Sequence, residues 1–515
     1  MKRIYRYILI CAAAFAAMSC SLNEDAKSFV SPDDFYSTLE ECQAGVIGCY
    51  RPLNTIFGKD FMIAVEGTTD LMYASGSGTQ DAHLDISPAT ARFGVTMWSQ
   101  AYVGVRNTNM CIAGMEQSGL DAEKIAPLIA EAKTLRAFYY YLLTSLFGDV
   151  PFYKDVIRTK DDLDRIQKLP RMSADSTRAD LVSELQECVG DMPAGRAYDV
   201  ASQHVGSAFC HILIAKLAMW NKDWQSALES LLQLKDWYGD LYSDGAQDAY
   251  PISDIQFSVS NTPESIFEIQ HTYTAGGLDV GTTLASYMTP SRGEAVIDSV
   301  LRKDVYDGVC IPALGELSST YTAMRPTKYF YQSLMTKDGE DRRAEYYIAW
   351  GWENHKGEWQ AFNSTRPWMG PKFWCWGMVT ANDANNYPVF RYADAVLMLA
   401  EVYNEMDNPT EAMACLNQVK NRAGIAEYTT FKTKAGLLDE IQRERARELV
   451  GEWQRKFDLV RWGIWYKQVW NNSDYSTLLK NILPCHEYYP IPDSECGLSG
   501  GALTNEAYDK YLGAK

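Results

Sequence analysis

Apolar residues recur at helical spacing in the first part of the chain. Residues 31–53 read SPDDFYSTLEECQAGVIGCYRPL, in which Phe35, Leu39, Cys42 and Val46 lie three or four positions apart. The opening Ser-Pro pair and the two acids after it are typical of a helix start, with serine as the N-cap and proline at the first helical position. The pattern therefore predicts an amphipathic helix that begins directly after this serine.

A longer stretch with the same period follows at 121–153, DAEKIAPLIAEAKTLRAFYYYLLTSLFGDVPFY. Ile129, Leu135 and Phe138 keep the helical spacing, and Gly148 comes shortly before a proline. Glycine after the last periodic residue is a common helix terminator. We therefore predict a second helix that ends at Gly148.

Two further segments each predict a pair of helices. Residues 204–238 break at Asn-Lys-Asp, residues 392–424 break at Asp-Asn-Pro, and an amphipathic pattern resumes after each break. Helix–turn–helix units of this length, with small residues where the helices approach each other, resemble tetratricopeptide repeats. Two clear copies are fewer than an independent solenoid needs, so these pairs are expected to pack on other parts of the chain.

The helical period fades between about 241 and 387, where Gly, Pro and aromatic residues become frequent. In EYYIAWGWENHKGEWQAF (345–362) apolar residues alternate before an Asn-His-Lys-Gly turn, which predicts a β-hairpin, and KFWCWGM (372–378) predicts another short strand. The predicted fold class is mostly α. Tetratricopeptide-like helix pairs at about 32–240 and 388–470 form a scaffold, and the segment between them is a loop-rich insertion that contains short β-hairpins.

Residues 1–19 have the organisation of a secretion signal. A basic start is followed by an apolar run that is too short to span a membrane, and small residues precede Cys20. This arrangement resembles a bacterial lipobox, in which the cysteine is acylated and becomes the first residue of the mature protein. The acids shortly after Cys20 resemble the signal that sends lipoproteins to the exterior face of the outer membrane. The alternative is an ordinary signal peptide with an incidental cysteine. Residues 20–31 are expected to be a tether, and 32–515 a single domain.

Charge and cysteine content exclude several classes of function. The formal net charge of −18 makes the chain a poor partner for nucleic acid or for bare anionic lipid. The twelve cysteines include no Cys-x-x-Cys pair and no Cys/His group at zinc-ligand spacing, so no cofactor and no metal site of these residues is expected, while a structural metal ion elsewhere stays open. Cys42 with Cys49, and Cys485 with Cys496, are two candidate disulfide pairs, and buried thiols are the alternative.

Catalytic motifs are equally scarce. The six histidines show no His-Glu-x-x-His spacing, none lies near a Gly-x-Ser-x-Gly, and no P-loop or dinucleotide fingerprint occurs. A glycoside hydrolase needs two carboxylates across a cleft. Glu66 and Asp70 are close in sequence, but a polar loop after a helix explains them as well. We therefore predict that the chain is not an enzyme, with a surface glycoside hydrolase as an alternative.

Four C-terminal blocks occur in the order of a known family. They are YPVFRYADAVLMLAEVYNE (387–405), ACLNQVKNRAG (414–424), LLDEIQRERARELVGEWQRKFDLVRWG (437–463) and LPCHEYYPIPDSE (483–495). Together they closely resemble the C-terminal half of the RagB/SusD, or SusD-like, family of nutrient-binding outer-membrane lipoproteins. The lipobox and EAKTLRAFYYYLLTSLFGDVPFY (131–153) agree with the N-terminal half of that family, so the resemblance covers nearly the whole mature chain.

The resemblance implies a helical-repeat scaffold with the ligand site in the irregular region. It also implies a lipid-anchored protein on the cell exterior that captures an oligosaccharide or another nutrient, acts as a lid on a SusC-like TonB-dependent transporter and does no chemistry. A helical-repeat scaffold that binds only protein is a further alternative. Family members often place ligand contacts in the loop before a helix that here is MWSQAYVGVRNTN (97–109), and on that similarity Tyr73 and Arg92 are candidate contacts. Tyr287, in the glycine-flanked segment GTTLASYMTPSRG (281–293), is a third candidate.

Aromatic side chains are the residues to seek in a glycan site, because pyranose rings present apolar C–H faces to them. Trp368 is the leading candidate, since it lies between proline and glycine in STRPWMGPKF, a stiff connection, and its neighbour Arg366 can donate to hydroxyl groups. Trp352 and Trp359 flank the predicted hairpin turn, where their side chains either face solvent or pair across the strands. Trp374 is expected to pack inward.

The charged run RERARELVGEWQRKFDLVRWG (443–463) predicts one amphipathic helix rather than a nucleic-acid patch. Its apolar residues fall on a single stripe, which places Trp453 in the core. Its charges have the spacing of three ion pairs along the helix, Glu444–Arg447, Arg445–Glu448 and Glu452–Lys456. The run is therefore interpreted as a scaffold helix whose charges compensate one another.

Overall fold

The computed structural model describes residues 35–76, 80–200, 204–242, 257–274, 281–289, 299–300, 321, 323–336, 339–354, 359–361, 367–375, 381–431 and 433–513. The predicted signal peptide, Cys20, the tether and Arg366 lie outside the described residues. The backbones of Trp352 and Trp359 are described, but their side chains are not. No helix in the described ranges is long and apolar enough to cross a membrane.

The described chain is mostly helical, which confirms the predicted fold class. Its α-helices are α1 (Leu39–Ile56), α2 (Lys59–Val65), α3 (Arg92–Gln117), α4 (Ala122–Phe147), α5 (Lys160–Ile166), α6 (Ala174–Cys188), α7 (Ala197–Val200), α8 (Ser207–Trp220), α9 (Trp224–Tyr238), α10 (Leu284–Met288), α11 (Ala344–Tyr347), α12 (Tyr392–Glu405), α13 (Pro409–Arg422), α14 (Lys434–Glu448), α15 (Gln454–Arg461), α16 (Trp465–Asn472), α17 (Ser476–Asn481), α18 (Asp493–Leu498) and α19 (Glu506–Leu512).

Both predicted helix pairs are present. α8 and α9 are separated by a turn whose Asp223 caps α9, and α12 and α13 are separated by a turn whose Asn408 caps α13. α4 ends at Gly148, as predicted, with a φ of 72° that glycine adopts without strain. The sequence breaks therefore coincide with real helix ends, because short polar side chains and glycine satisfy the free backbone groups there.

Two helix boundaries differ from the predictions. α1 begins at Leu39, where Thr38 and Glu41 form a capping box, and residues 35–38 form a turn instead of the predicted first helical residues. The run 443–463 is not one helix but the end of α14 and the whole of α15. The two are separated by a turn in which Gly451 has a φ of 76° and Trp453 a φ of 60°.

The strands are short and lie mainly in the irregular region. They are β1 (Met72–Ala74), β2 (Ser265–Ile269), β3 (Ser299–Val300), β4 (Met324–Pro326), β5 (Ile348–Ala349), β6 (Gly351–Asn354), β7 (Trp359–Ala361), β8 (Trp368–Met369) and β9 (Tyr387–Arg391). All pairings are antiparallel: β1 with β4, β2 with β9, β5 with β8, and β6 with both β3 and β7. β6 and β7 are the strands of the predicted hairpin.

The strand predicted at 372–378 is wrong at its start, because Pro371–Phe373 form a 3₁₀ turn, and residues 376–378 lie outside the described residues. Trp374 is fully buried, as expected, and its Nε1 donates to the carbonyl of Met369 at 3.1 Å.

Two strand pairs join the irregular region to the helices. β4 pairs with β1 from the first half of the chain, and β2 pairs with β9, which runs directly into α12.

Trp453 is at the centre of the core, which confirms its predicted burial. Its side chain is fully buried, and its ring centroid lies 5.5 Å from that of Phe57, 5.4 Å from that of Phe390 and 5.3 Å from that of Phe457. The indole Nε1 donates to the carbonyl of Val389 at 2.9 Å. One ring thus joins α1, β9 and α15 and satisfies its own polar atom.

Most charges of 443–463 face inward, although Arg443 at the start of the run is exposed. Of the three predicted ion pairs only Glu444–Arg447 forms, with 2.7 Å between Oε2 and Nη1, while Arg445 reaches carboxylates on α12 and α15. Glu448 and Glu452 join a buried network whose other members include Glu264, Asp341, Arg343, Lys372, Arg391, Arg422 and Glu444. The predicted compensation within one surface helix is therefore wrong except for Glu444–Arg447, because Arg445, Glu448 and Glu452 find their partners on other elements.

The cysteines in the described ranges are free thiols, and most of them are buried. Cys42 with Cys49, and Cys485 with Cys496, are therefore unbridged, and the alternative of separate thiols holds for both pairs. Cys49 donates instead to the carbonyl of Gly45, at 3.4 Å, within α1.

Candidate ligand-binding surface

Two tyrosine rings form an exposed pair at the edge of the irregular region. Tyr287 lies on α10 and Tyr321 comes just before β4, and their ring centroids are 4.7 Å apart with 35° between the ring planes. Tyr321 is 52% exposed, and Tyr287 is half-buried. The pair presents aromatic surface to solvent, which stacking on a sugar ring requires.

Backbone contacts hold this tyrosine pair in place. The backbone N–H of Tyr321 donates to Ser286, 3.0 Å from its carbonyl oxygen and 3.2 Å from its Oγ. Ser286 is fully buried in α10, a short helix that contacts both α2 and β4. Tyr321 is therefore fixed to the helix that carries Tyr287.

A charged pair flanks the rings. Lys59 Nζ lies 5.7 Å from the ring centroid of Tyr287 and 2.7 Å from Asp60 Oδ1. Partial burial lowers the pKa of Lys59, but the bonds to Asp60 and Tyr287 outweigh it and the pKa is raised. Partial burial also raises the pKa of Tyr287, against the effect of Lys59. The surface thus combines ring faces with ammonium, carboxylate and phenol groups, which are the partners that sugar hydroxyls use.

Arg92 is exposed in the first turn of α3. The rings of Phe61 and Phe93, one residue after Asp60 and Arg92, lie 5.9 Å apart. This contact sets the beginnings of α2 and α3 side by side. No contact among the described residues joins Arg92 to the tyrosine pair, and its role as a ligand contact stays a prediction.

Tyr73 does not have the exposure that its candidate role needs. It lies in β1, is only 5% exposed, and stacks on Tyr475 with 4.7 Å between ring centroids and 16° between the planes. The Tyr475 hydroxyl is in turn 3.2 Å from His83 Nε2. The expectation is wrong because the β1–β4 ribbon turns this ring toward α16 and the segment after it rather than toward solvent.

The leading candidate, Trp368, is also buried. It is 1% exposed and lies in β8 rather than in an open connection, opposite Ala349 of β5. The guanidinium carbon of Arg325 lies 3.3 Å from the centroid of its ring. The expectation of an exposed indole at this position is therefore wrong, since proline and glycine here end a short strand instead of exposing a loop.

The remaining candidates stay predictions. Trp352 pairs in register with Gln360, and Trp359 pairs with Glu353, so the two tryptophans lie on adjacent strands as predicted. The structure describes their backbones but not their side chains. Tyr321 was missed. No periodic pattern marks it in the sequence, and it becomes a site residue only because its backbone bonds to α10.

The carboxylates considered for catalysis are buried structural groups. Glu66 accepts a hydrogen bond from the backbone N–H of Trp453, and burial raises its pKa to about 8. Asp70 accepts from Arg455 Nε at 2.8 Å and Nη2 at 2.6 Å. Within the described ranges, no three His, Cys, Asp or Glu side chains are arranged to hold a metal ion. The expectation that no cofactor is needed stays a prediction.

Family models match both halves of the chain. One described as the SusD family matches residues 377–508, and one described as starch-binding, associating with outer membrane, matches residues 50–201. These ranges contain the four C-terminal blocks and the segment 131–153. The chain belongs to the SusD-like family.

Relatives of this SusD-like chain match it over nearly its whole length. SusD-like protein P25 of Formosa agariphila is 25% identical over 98% of this chain and 99% of its own. The surface glycan-binding protein A from Bacteroides uniformis superposes with a TM-score of 0.69 at 23% identity, over 92% of this chain and 100% of its own. The surface glycan-binding protein A from Bacteroides thetaiotaomicron, solved in complex with laminarihexaose, superposes with a TM-score of 0.68 at 19% identity. That match covers 90% of this chain and 98% of its own. The two structures share the fold of this chain.

Proposed function

We propose that this SusD-like chain is a cell-surface lipoprotein that captures an oligosaccharide and delivers it to a TonB-dependent transporter of the outer membrane. The observation that carries the proposal is the exposed Tyr287–Tyr321 pair with the Lys59–Asp60 ion pair beside it. A pyranose ring would stack on the tyrosines, and its hydroxyls would bond to the charged pair. No covalent step is part of this function.

The chemistry of the surface favours a neutral glycan. Lys59 and Asp60 already neutralise each other at 2.7 Å, and the formal net charge of −18 repels an acidic polysaccharide. A relative, the starch-binding protein SusD of Bacteroides thetaiotaomicron, is 29% identical over 24% of this chain, and the laminarihexaose complex is a structural neighbour. Neutral glucans are therefore the first ligands to test.

Anchoring and transfer are part of the same proposal. The small residues before Cys20 support acylation of that cysteine, which would hold the protein at the membrane beside its transporter. Capture followed by transfer needs moderate affinity, because a ligand that is held too tightly is not released. Micromolar binding, about −8 kcal/mol, meets that need. Cys20→Ala should move the protein from the membrane fraction to the soluble fraction.

Incubation with defined oligosaccharides tests capture against catalysis. The purified chain is mixed with laminarihexaose and with a malto-oligosaccharide of similar length, binding is followed by calorimetry, and the sugars are then sized by chromatography. Binding of at least one sugar with its length unchanged supports the proposal. Shortened products would favour the alternative, a surface glycoside hydrolase, and binding of neither sugar would favour a scaffold that binds only protein.

A further inference from the structure

A second aromatic pair, on α16, is not used by the surface described above. Trp470 is 50% exposed, and its ring stacks on that of Tyr466, four residues earlier, with 6.1 Å between the centroids and 25° between the planes. Among the residues whose side chains the structure describes, no other tryptophan is comparably exposed. Large exposed aromatic surfaces on a folded protein commonly mark binding sites.

The helix that carries this pair is fixed on its opposite face. Trp465 is fully buried, and its Nε1 donates to the carbonyl of Thr68 at 3.0 Å. Gln468 Nε2 donates to Asp70 Oδ2 at 2.9 Å, and Val469 is fully buried. α16 thus presents Tyr466 and Trp470 from a rigid support, which reduces the entropy lost when a ligand binds.

The surroundings of the pair fit a sugar better than a protein. Lys467 and Asn471, which neighbour the two rings on the helix, are exposed and polar. A stable protein interface buries roughly 800 Å² on each partner around an apolar centre, and two rings bordered by polar residues offer much less. One or two pyranose rings match the size of this surface, and the ammonium and amide groups beside it can bond to hydroxyls.

We propose that Tyr466 and Trp470 form a second carbohydrate-binding site, separate from the tyrosine pair of α10 and β4. This inference takes its ligand class, a neutral oligosaccharide, from the proposed function. The two surfaces are connected through rigid contacts, since Tyr475 follows α16 and stacks on Tyr73 of β1, and β1 pairs with β4. Both pairs are therefore held on one framework.

Migration of the full-length chain in native gels that contain laminarin or soluble starch tests the second site. The variant Tyr287→Ala/Tyr321→Ala removes the first surface and should keep residual retention in at least one gel. Adding Trp470→Ala should abolish the remaining retention, whereas adding Trp470→Phe, which keeps a ring, should preserve most of it. Lys480→Met, an exposed lysine on α17, controls for a surface change that leaves both rings and their polar neighbours in place. An unchanged thermal unfolding midpoint is expected for Trp470→Ala, because the side chain is exposed.

The outcomes separate this inference from the function on which it rests. Residual retention that survives Trp470→Ala, or its complete absence after loss of the first surface, overturns the second site and leaves the proposed function standing. If neither polysaccharide retards the native chain, the second site and the proposed function are both overturned. If Trp470→Ala leaves retention unchanged but prevents co-purification of the transporter, the surface is a protein interface and the inference is wrong.

Discussion

The Nη1 atom of Arg391 lies 2.8 Å from Oε1 of Glu448, 57 residues further along the chain. Arg343 and Arg422 bond to the same carboxylate. Burial alone would raise the pKa of Glu448, but the neighbouring cationic groups, Arg422 and Arg391 foremost, hold it well below its ordinary value. One carboxylate therefore joins β9, α13, α14 and the irregular region at a single buried point.

Glu448→Gln should lower the free energy of unfolding by about 3–5 kcal/mol, because it leaves buried guanidinium groups without their counter-charge. Asp439→Asn is the matched control. Asp439 makes an exposed ion pair with Arg443 on the same helix, α14, and such pairs contribute roughly 0–1 kcal/mol. Urea unfolding of both variants measures the difference, and similar losses from the two would show that the network contributes little.

Lys456 is a buried lysine whose Nζ lies 5.2 Å from the ring centroid of Trp465 and 3.5 Å from the carbonyl oxygen of His486. Burial lowers its pKa from 10.5 to about 7, although Asp81 and Glu487 act in the opposite direction. Between these two pH values the unfolded state binds more protons than the folded state. The free energy of unfolding therefore rises with pH across this window as Lys456 loses its proton in the folded state. Below about pH 7 the lysine is charged in both states, and the folded state is destabilised by the full amount.

Lys456→Met removes this titration. The variant should be more stable than the native chain by about 3–5 kcal/mol near pH 7, and the difference should shrink as the pH rises towards 10. Urea unfolding at pH 7, 8, 9 and 10 measures it, with Lys467→Met on an exposed lysine as the control. Parallel stability curves for Lys456→Met and the native chain would contradict the assignment.

Gly104 and Gly48 should respond in opposite directions to the same substitution. A Cβ at Gly104 would lie 2.3 Å from the ring of Tyr139, which is held in place by its hydrogen bond to the carbonyl of Cys49. Gly104→Ala should therefore cost about 1–3 kcal/mol through overpacking. A Cβ at Gly48 meets nothing within 4 Å, so Gly48→Ala should stabilise α1 by roughly 0.5–1 kcal/mol. Thermal unfolding of the two variants distinguishes them.

Tyr321→Ala should weaken retention by a glucan gel about tenfold, a loss of about 1.4 kcal/mol, because the stacking surface is removed. Tyr321→Phe keeps the ring and loses only the hydroxyl, so it should retain most of the native affinity. Tyr511→Ala, in the last helix, serves as the control for loss of a tyrosine elsewhere. Equal losses in Tyr321→Phe and Tyr321→Ala would assign the contact to the hydroxyl instead of the ring.

The helical scaffold could be predicted from the sequence because its signals are local. Apolar periodicity, a cap such as Asp223 and a terminator such as Gly148 act within one or two turns of the helix they define. The turn between α14 and α15 could not be predicted in this way. Gly451 lies so close to Phe373 that a Cβ would be 2.3 Å from its ring, and this neighbour is set by the tertiary fold.

The site residues were less predictable for the same reason. Tyr287 was found because glycines flank its segment, but its partner Tyr321 is fixed by a backbone bond to Ser286. Trp368 looked exposed because proline and glycine surround it, yet its strand and the guanidinium of Arg325 bury it. Exposure of an aromatic ring depends on contacts between distant segments, which periodicity and composition do not record.

Side chains near the two ends of the chain meet in the core. The backbone of Trp453 donates to Glu66 over a separation of 387 residues, and Arg455 bonds to Asp70 over 385. Contacts of such long range form late in folding. While the chain is being synthesised, Glu66 and Asp70 therefore exist before their partners do, so native folding must await the final part of the chain. A chain that ended before these partners would leave the core incompletely packed and accessible to proteases, so only chains that include them would reach the native fold.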